Sequence, residues 1–492
     1  MKTTFKLFLL LIFPLLLLFN SSCKKDNLGL ETLTFSTDTL TFDTVFTTLG
    51  STTRFFKVFN NSSKPIEIAD IRLMGLVGNQ FRMNVDGIPG TVFTNVEVPA
   101  RDSIYVFVEV TVDPNSQNTP YVIIDDVQFV LNGELKTVHL QAFGQNAYFH
   151  YGENITTSTT WQNDKPHVVV SKDTVPGVFV RCGATLNISP GTKIFFASGA
   201  AMFIEGTLNA NASTWSDSIV FQGVRLEQFY DDKPGQWFGL VFLRSAGCLS
   251  QGFFNHCVIN ESTNGVYAGA GLSSDINTYL GASNRPDVVI NNTIIKNSQL
   301  HAIQAFNAKV LAENSLFIAA GDNMLKLWLG GDYTFNHCTA YNTGSRFLSH
   351  KKETLLLNNA VVSAGVTYLE PIKSVFTNSI IYGNLQNEIA FANSEGLSLT
   401  NFDHSFDYSI LKTREDTLTL FSTSTNQLLF NQDPRLKNPD KGDYAPSDSI
   451  GYFSPAIDFA PTGLGSDIYD RPRPVSKTTN TTKFDAGAIE TP

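Results

Sequence analysis

Cysteine, methionine and excess positive charge are what this sequence has little of. Only 5 of its 492 residues are cysteine and only 5 are methionine. No two cysteines form a CxxC pair, so neither a dense disulfide framework nor a paired-cysteine zinc site organises the fold. Lys and Arg number 35 against 45 Asp and Glu, a formal net charge of -10, with no basic block. Phosphate contact needs clustered cations, so nucleic acid is excluded as a partner. Beyond the first 19 residues there is no apolar run approaching the roughly 20 residues that a helical membrane span needs. What the chain has in quantity is phenylalanine, 39 residues of it, a flat ring suited to stacking in repetitive β structure.

The amino terminus reads as an export signal. Lys2 and Lys6 precede an apolar run from Leu7 to Phe19, broken only by Pro14. Small and polar residues, Asn20-Ser21-Ser22, then lead to Cys23. Ser-Ser-Cys at this place resembles a bacterial lipobox, with Asn20 standing where Leu is usual. The resemblance implies lipidation of Cys23, a signal peptide over 1–22, a tether over 23–30 and a membrane partner through the lipid. Lys24-Lys25-Asp26-Asn27 is similar to the charged tag that sends Bacteroidetes lipoproteins to the outer face of the outer membrane.

Residues 31–146 alternate apolar and polar side chains in short runs such as Ser103-Ile-Tyr-Val-Phe-Val-Glu-Val. Asn60-Asn61-Ser62-Ser63, Asp113-Pro114-Asn115 and Asn132-Gly133 punctuate them. Period two with regular turns predicts an antiparallel sandwich of about seven strands. The text around Asn60–Ile66, Val98–Ser103 and His139–Gly144 resembles an ASH-type immunoglobulin-like domain, which implies a spacer or adaptor. The polar, Thr-rich stretch 147–165 is expected to be a linker.

A repeat follows. Asn292, Asn314, Asn336 and Asn359 recur at steps of 22, 22 and 23, with Asn255 37 earlier and Asn378 19 later. Two places after each stand Cys257, Ile294, Leu316, Cys338, Val361 and Ile380. Eleven after Asn255, Asn292, Asn314 and Asn336 stand Val266, Ile303, Leu325 and Phe347, and thirteen after stand Ala268, Ala305, Leu327 and Ser349. Such columns predict stacked coils of short strands over 166–432, with apolar positions in the bore and Asn at bends. A leucine-rich repeat would need several Leu at fixed offsets, which are missing.

Ala184-Thr-Leu-Asn-Ile-Ser-Pro-Gly-Thr-Lys-Ile194, Ile204-Glu-Gly-Thr-Leu-Asn-Ala210 and Pro234-Gly-Gln-Trp-Phe-Gly-Leu240 resemble the opening coils of bacterial right-handed β-helix surface proteins. Asp433-Pro-Arg-Leu436, Ser454-Pro-Ala-Ile-Asp458, Asp470-Arg-Pro-Arg-Pro474 and Asp485-Ala-Gly-Ala-Ile-Glu490 resemble a choice-of-anchor Q C-terminal segment, departing from it at Phe459. The expectation is therefore an all-β chain. It comprises an N-terminal immunoglobulin-like β-sandwich, a right-handed parallel β-helix, and a capping segment over 433–492.

Function is less legible. Asn255-His256-Cys257 and Asn336-His337-Cys338 look like halves of a metal site. Three coils of spacing, roughly 14 Å, put them too far apart for one ion or a disulfide, and the repeat places both thiols in the inward column. The sequence leaves open whether Cys182 and Cys248 are bonded. The long step after Asn255 predicts an insertion near Gly269–Pro286 holding Asp275, Tyr279, Asn284 and Arg285. Outward positions beside it gather Tyr267, Gln304, Lys326 and Leu348, and Gly269, Phe306, Trp328 and His350. Rings among amides and charges suit a polysaccharide. The candidate ligand-binding set is Tyr267, Gln304, Phe306, Lys326, Trp328, His350, Asp275 and Tyr279.

Asp275, Asp287, Asp322 and Asp332 share no offset that would gather them as a catalytic pair. Asp458, Asp467, Asp470 and Asp485 could bind calcium, though loop capping explains them as well; no other cofactor is expected. The expected function is noncatalytic display of a β-helix on the cell envelope, for binding glycan or a surface protein. A polysaccharide lyase or glycoside hydrolase, and a structural or adhesin component, are the alternatives.

Overall fold

The computed structural model describes residues 33–245, 247–270, 276–392, 401–414, 421, 427–473 and 483–491. The chain divides into two compact units, 1–146 and 147–492. Cys23 and the export signal lie outside the described residues.

The first unit is a two-sheet β structure around a single apolar core. One sheet orders Thr34–Phe35, Arg54–Phe59, Ser103–Val110, Phe81–Val85 and Ile88–Gly90. The other orders Thr39–Phe46, Glu134–Gln145, Tyr121–Leu131, Ile66–Leu73 and Val92–Val98. Alternation does the sorting. In Ser103–Val110 the residues Ile104, Val106, Val108 and Val110 are buried, while Tyr105 and Phe107 face outward. Ten strands replace the seven expected. One pair, Thr39–Phe46 with Glu134–Gln145, is parallel.

In the first coils of the second unit each strand pairs in parallel with the third strand onward. Tyr148–Tyr151 pairs with His167–Val170, which pairs with Lys193–Phe196 and so on along an 11-stranded sheet. The other two strands of each coil build a 16-stranded sheet. This pattern is consistent with a parallel β-helix. Identical positions stack at strand spacing, as the parallel rings of Phe335, Phe376 and Phe406 show at 4.8 and 4.9 Å. Trp237 lies in the bore against Phe196, with 4.0 Å between ring centroids.

Four expectations are corrected here. Residues 147–165 are no linker: they form the first coil, through Tyr148–Tyr151, Asn154–Ile155 and Thr159–Trp161. Trp161 is buried there, and both His150 and His167 stack on its indole. A coil that pairs on one side only can carry more polar residues, which hid it. Among its described residues, 433–473 and 483–491, the C-terminal segment does not cap an end. It runs along the flank of the coils, where Trp215 donates to the Ile468 carbonyl, Asn314 to Ser466 and Asn378 to Thr462.

The asparagine column is also shifted. Asn255 aligns with Asn291, Glu313 and Asn336, so the true corner column is one residue later. It consists of His256, Asn292, Asn314, His337, Asn378 and Tyr408, all at φ between 43° and 52°. Asn is favoured in that left-handed region because its short amide can bond locally. Finally, Phe347, Leu348, Ser349 and His350 leave the coil as a loop. Leu355, Leu356 and Leu357 occupy the positions expected of the first three, and Asn359 begins a hairpin.

A candidate lateral face and three differently used corners

Every coil turns three corners, and each corner has its own use. At the corner after the third strand sits the His/Asn column, covered by the C-terminal segment. His256 Nε2 lies 2.9 Å from both carboxylate oxygens of Asp470. Immediately after the column comes a line of small polar groups. Cys257, Thr293, Ser315, Cys338, Ser379 and Ser409 occupy equivalent places, one residue before the apolar positions expected for the cysteines. The Cys257 amide donates to Thr293 Oγ1, and the Cys338 amide to Ser379 Oγ. Burial pushes both thiols up to about 12, so they remain protonated.

At the corner after the first strand, buried carboxylates hold excursions. Glu261 accepts from the amides of Gly223 and Asp232 and from Asn260. Burial raises its pKa to about 7. Glu388 accepts from Thr354 and from the Leu385 amide. It also faces His350 Nε2 at 3.3 Å, while His350 Nδ1 lies 2.6 Å from Asn384 Oδ1. Burial works against the charged ring, but the bond and charge of Glu388 outweigh it and raise the His350 pKa. His350 thus ties a loop and is not on the lateral face.

At the corner after the second strand the chain makes two long detours. The Arg244 guanidinium donates to the carbonyls of Tyr279, Leu280, Gly281 and Ser283 at 2.6–2.9 Å, and to Asn307 at 3.3 Å. Five carbonyls around one buried cation fix the base of the insertion. The Gly281 amide donates to Glu370, at the foot of the Ala360–Ser363/Val366–Leu369 hairpin, and Arg285 pairs with Asp332 at 3.1 Å. At the same corner, Cys182 and Cys248 are joined as a disulfide across the intervening coil. That coil turns at Gly206, where a Cβ would collide with the Ala184 carbonyl.

Between these detours lies the outward face of the second strands. Tyr267, Gln304 and Lys326 align on it, and Phe306 aligns with Trp328. The structure therefore gathers five of the candidate residues. It also shows what covers them: Tyr279, Phe306 and Leu329 are buried in one cluster, with Tyr267, Trp328, Val361 and Tyr368 packed against it. Phe306 meets Trp328 edge-on at 4.6 Å and Tyr279 at 5.6 Å. Gln304, Lys326, Tyr267 and Trp328 remain half-buried, and Lys326 Nζ sits 4.9 Å over the indole. Asp275 lies outside the described residues.

Sequence reasoning missed Phe179 and Phe203, which extend the same outward line. The repeated Gly177-Val-Phe-Val and Ala201-Met-Phe-Ile phase carries that signal. Arg244, Glu261, Glu370 and Glu388 left none, each being a lone charge.

The carboxylates are engaged separately. Asp287 pairs with Lys309, and Asp332 with Arg285. Asp467 receives Arg471 and the Tyr469 and Glu490 amides, and Asp485 the Asp458 and Thr491 amides. Among the described residues no three His, Cys, Asp or Glu side chains are grouped to hold a metal.

No family model matches the sequence, and no curated protein matches it. Two solved structures similar to it are described as glycoside hydrolases. A family 123 glycoside hydrolase from Clostridium perfringens is 8% identical over 23% of this chain and 26% of that one, with a TM-score of 0.17. The catalytic unit of a GH87 alpha-1,3-glucanase from Streptomyces thermodiastaticus is 10% identical over 73% of this chain and 78% of that one, with a TM-score of 0.21. This chain thus spans about a quarter of the first of them.

Proposed function

We propose that this chain is a cell-envelope lipoprotein, held to the outer membrane through Cys23 and facing outward. In this reading its second unit is a right-handed parallel β-helix that displays a noncatalytic glycan-binding face, and its first unit is an immunoglobulin-like spacer. One observation carries the binding role: two long detours leave the same corner and are pinned by Arg244 and Glu370 on either side of Gln304, Lys326 and Trp328. Insertions of a repeat protein that emerge on one side commonly border its binding surface. Half-buried rings supply stacking, while the Gln304 amide and Lys326 ammonium supply hydrogen bonds to hydroxyls. The division of ten strands between two sheets supports the immunoglobulin-like reading. Right-handed crossovers are expected because parallel connections almost always take that hand.

The test is a screen of the soluble form beginning at Lys24 against polysaccharides, with calcium present, reading both retention and new chain ends. Saturable retention without new ends supports the proposal. New ends would make the protein a hydrolase or lyase, and silence in both channels would move it to a structural or protein-binding role.

A further inference from the structure

The first unit carries a surface that a mere spacer does not need. Strands Arg54–Phe59, Ser103–Val110 and Phe81–Val85 turn Phe56, Val58, Ile104, Val106, Val108, Met83 and Val85 into the core. That inward set already fills the interior. The opposite face of the same strands bears Phe55, Tyr105 and Phe107. Phe55 is 52% exposed, and the other two are half-buried only by one another and their neighbours. Phe55 is the direct cross-strand partner of Phe107, and Lys57 of Tyr105. Ring centroids lie 5.3 Å (Phe55–Tyr105), 5.8 Å (Phe55–Phe107) and 5.7 Å (Tyr105–Phe107) apart.

Beside the rings stand one ion pair and one lysine that rests on an aromatic face. Lys57 Nζ rests 4.6 Å over the Tyr105 ring, and Arg82 pairs with Glu109 at 2.7 Å. Asn84 is the cross-strand partner of Phe107 and brings an amide to the rim. With a single cation outside an ion pair, the face offers little to a strongly charged ligand. Nor is it large enough for a stable protein contact. Three rings of about 150–250 Å² each, themselves partly covered, fall below the roughly 800 Å² per partner of a standard protein interface. What it fits is a neutral pyranose chain, whose C–H faces meet the negative faces of rings while its hydroxyls reach Asn84, Lys57 and Arg82.

We infer that the outward face built by Phe55, Tyr105 and Phe107 is a second carbohydrate-binding site, specific for neutral glycan, in the first unit. The inference stands whether or not the coil face binds glycan.

The experiment is affinity electrophoresis of the full soluble chain through gels containing a soluble β-glucan, xylan, galactomannan or dextran. It compares wild type with Phe55→Ala, Tyr105→Ala and, for the coil face, Trp328→Ala. At least one neutral polysaccharide should retard the wild type, and Phe55→Ala should weaken that retention about tenfold, as expected for one lost stacking ring. Retention should survive in Trp328→Ala at this site. The exposed position of Phe55 leaves the core intact, and an unchanged melting temperature shows it; Phe55→Trp should restore or strengthen retention. Retardation by none of the four polymers would overturn the inference. So would equal retardation of wild type and Phe55→Ala, or self-association of the wild type that Phe55→Ala abolishes.

Discussion

His256 and His337 stand at the same corner of the coil, three turns apart, and face opposite chemistry. His256 Nδ1 meets the Ala212 carbonyl at 3.2 Å and Nε2 meets Asp470 at 2.9 Å, so both ring nitrogens face acceptors. His337 Nδ1 meets the Arg473 guanidinium at 2.6 Å, a donor. Burial, then Arg473, holds its pKa well below the ordinary histidine value. One residue type at one place thus docks the C-terminal segment twice, once facing a carboxylate and once facing a guanidinium.

Asp470→Asn should accordingly loosen the segment near His256 without unfolding the coils. The Asn amide keeps one acceptor but loses the carboxylate charge, which lowers the bond from about 1.5–3 kcal/mol to about 1 kcal/mol. Amide hydrogen exchange over 462–473 should rise several-fold. Unchanged exchange would show that the pair does not hold the segment.

Acid should destabilise the second unit. Burial lowers His167 and His301 to about 4. Both folded values lie below the ordinary 6.5, so the neutral rings stabilise fully above pH 6.5. That contribution is lost as the pH falls toward 4, on the order of 3 kcal/mol per ring. Thermal midpoints measured from pH 7 down to 4 should fall, and less steeply in His301→Gln. An equal slope in that variant would remove His301 from the account.

The two inward thiols distinguish two registers. If Cys257 and Cys338 belong with Thr293, Ser315, Ser379 and Ser409, then Cys338→Ser should cost less than about 1 kcal/mol. Cys338→Leu should cost several, by overpacking a polar corner. The reverse order in denaturant titrations would restore the apolar register.

Breaking the Cys182–Cys248 bridge opens a loop with a sequence separation of 66 residues. Loop entropy places the expected loss near 4 kcal/mol. Cys182→Ala/Cys248→Ala should show it as a lower midpoint under non-reducing conditions. A midpoint within experimental scatter of the wild type would show that the coils constrain that loop without the bond.

Arg244→Met keeps the stem and removes the donors. It should leave the coils folded but expose 276–285 to protease, and coil-face glycan retention should fall about tenfold or more. An insertion still resistant to protease would mean that Glu370 and Arg285 suffice to pin it.

The sequence by itself determined the all-β class, the change of grammar near residue 147, and the repeat. Alternation at period two and stacking at 22 residues are local signals that survive without neighbours. It also placed Tyr267, Gln304 and Lys326 on one face, and Phe306 and Trp328 beside them, because strand parity fixes direction. The tertiary structure decided what local pattern cannot. A one-residue error in aligning Asn255 and Asn336 moved both cysteines from a hydroxyl line to an apolar one, since a corner absorbs a residue without disturbing either strand. Loops of unequal length replaced Phe347–Ser349 by Leu355–Leu357 for the same reason. The buried charges that pin the excursions act on carbonyls and amides far away in the chain, and a lone Arg244 or Glu370 shows no pattern until the coils bring those groups around it.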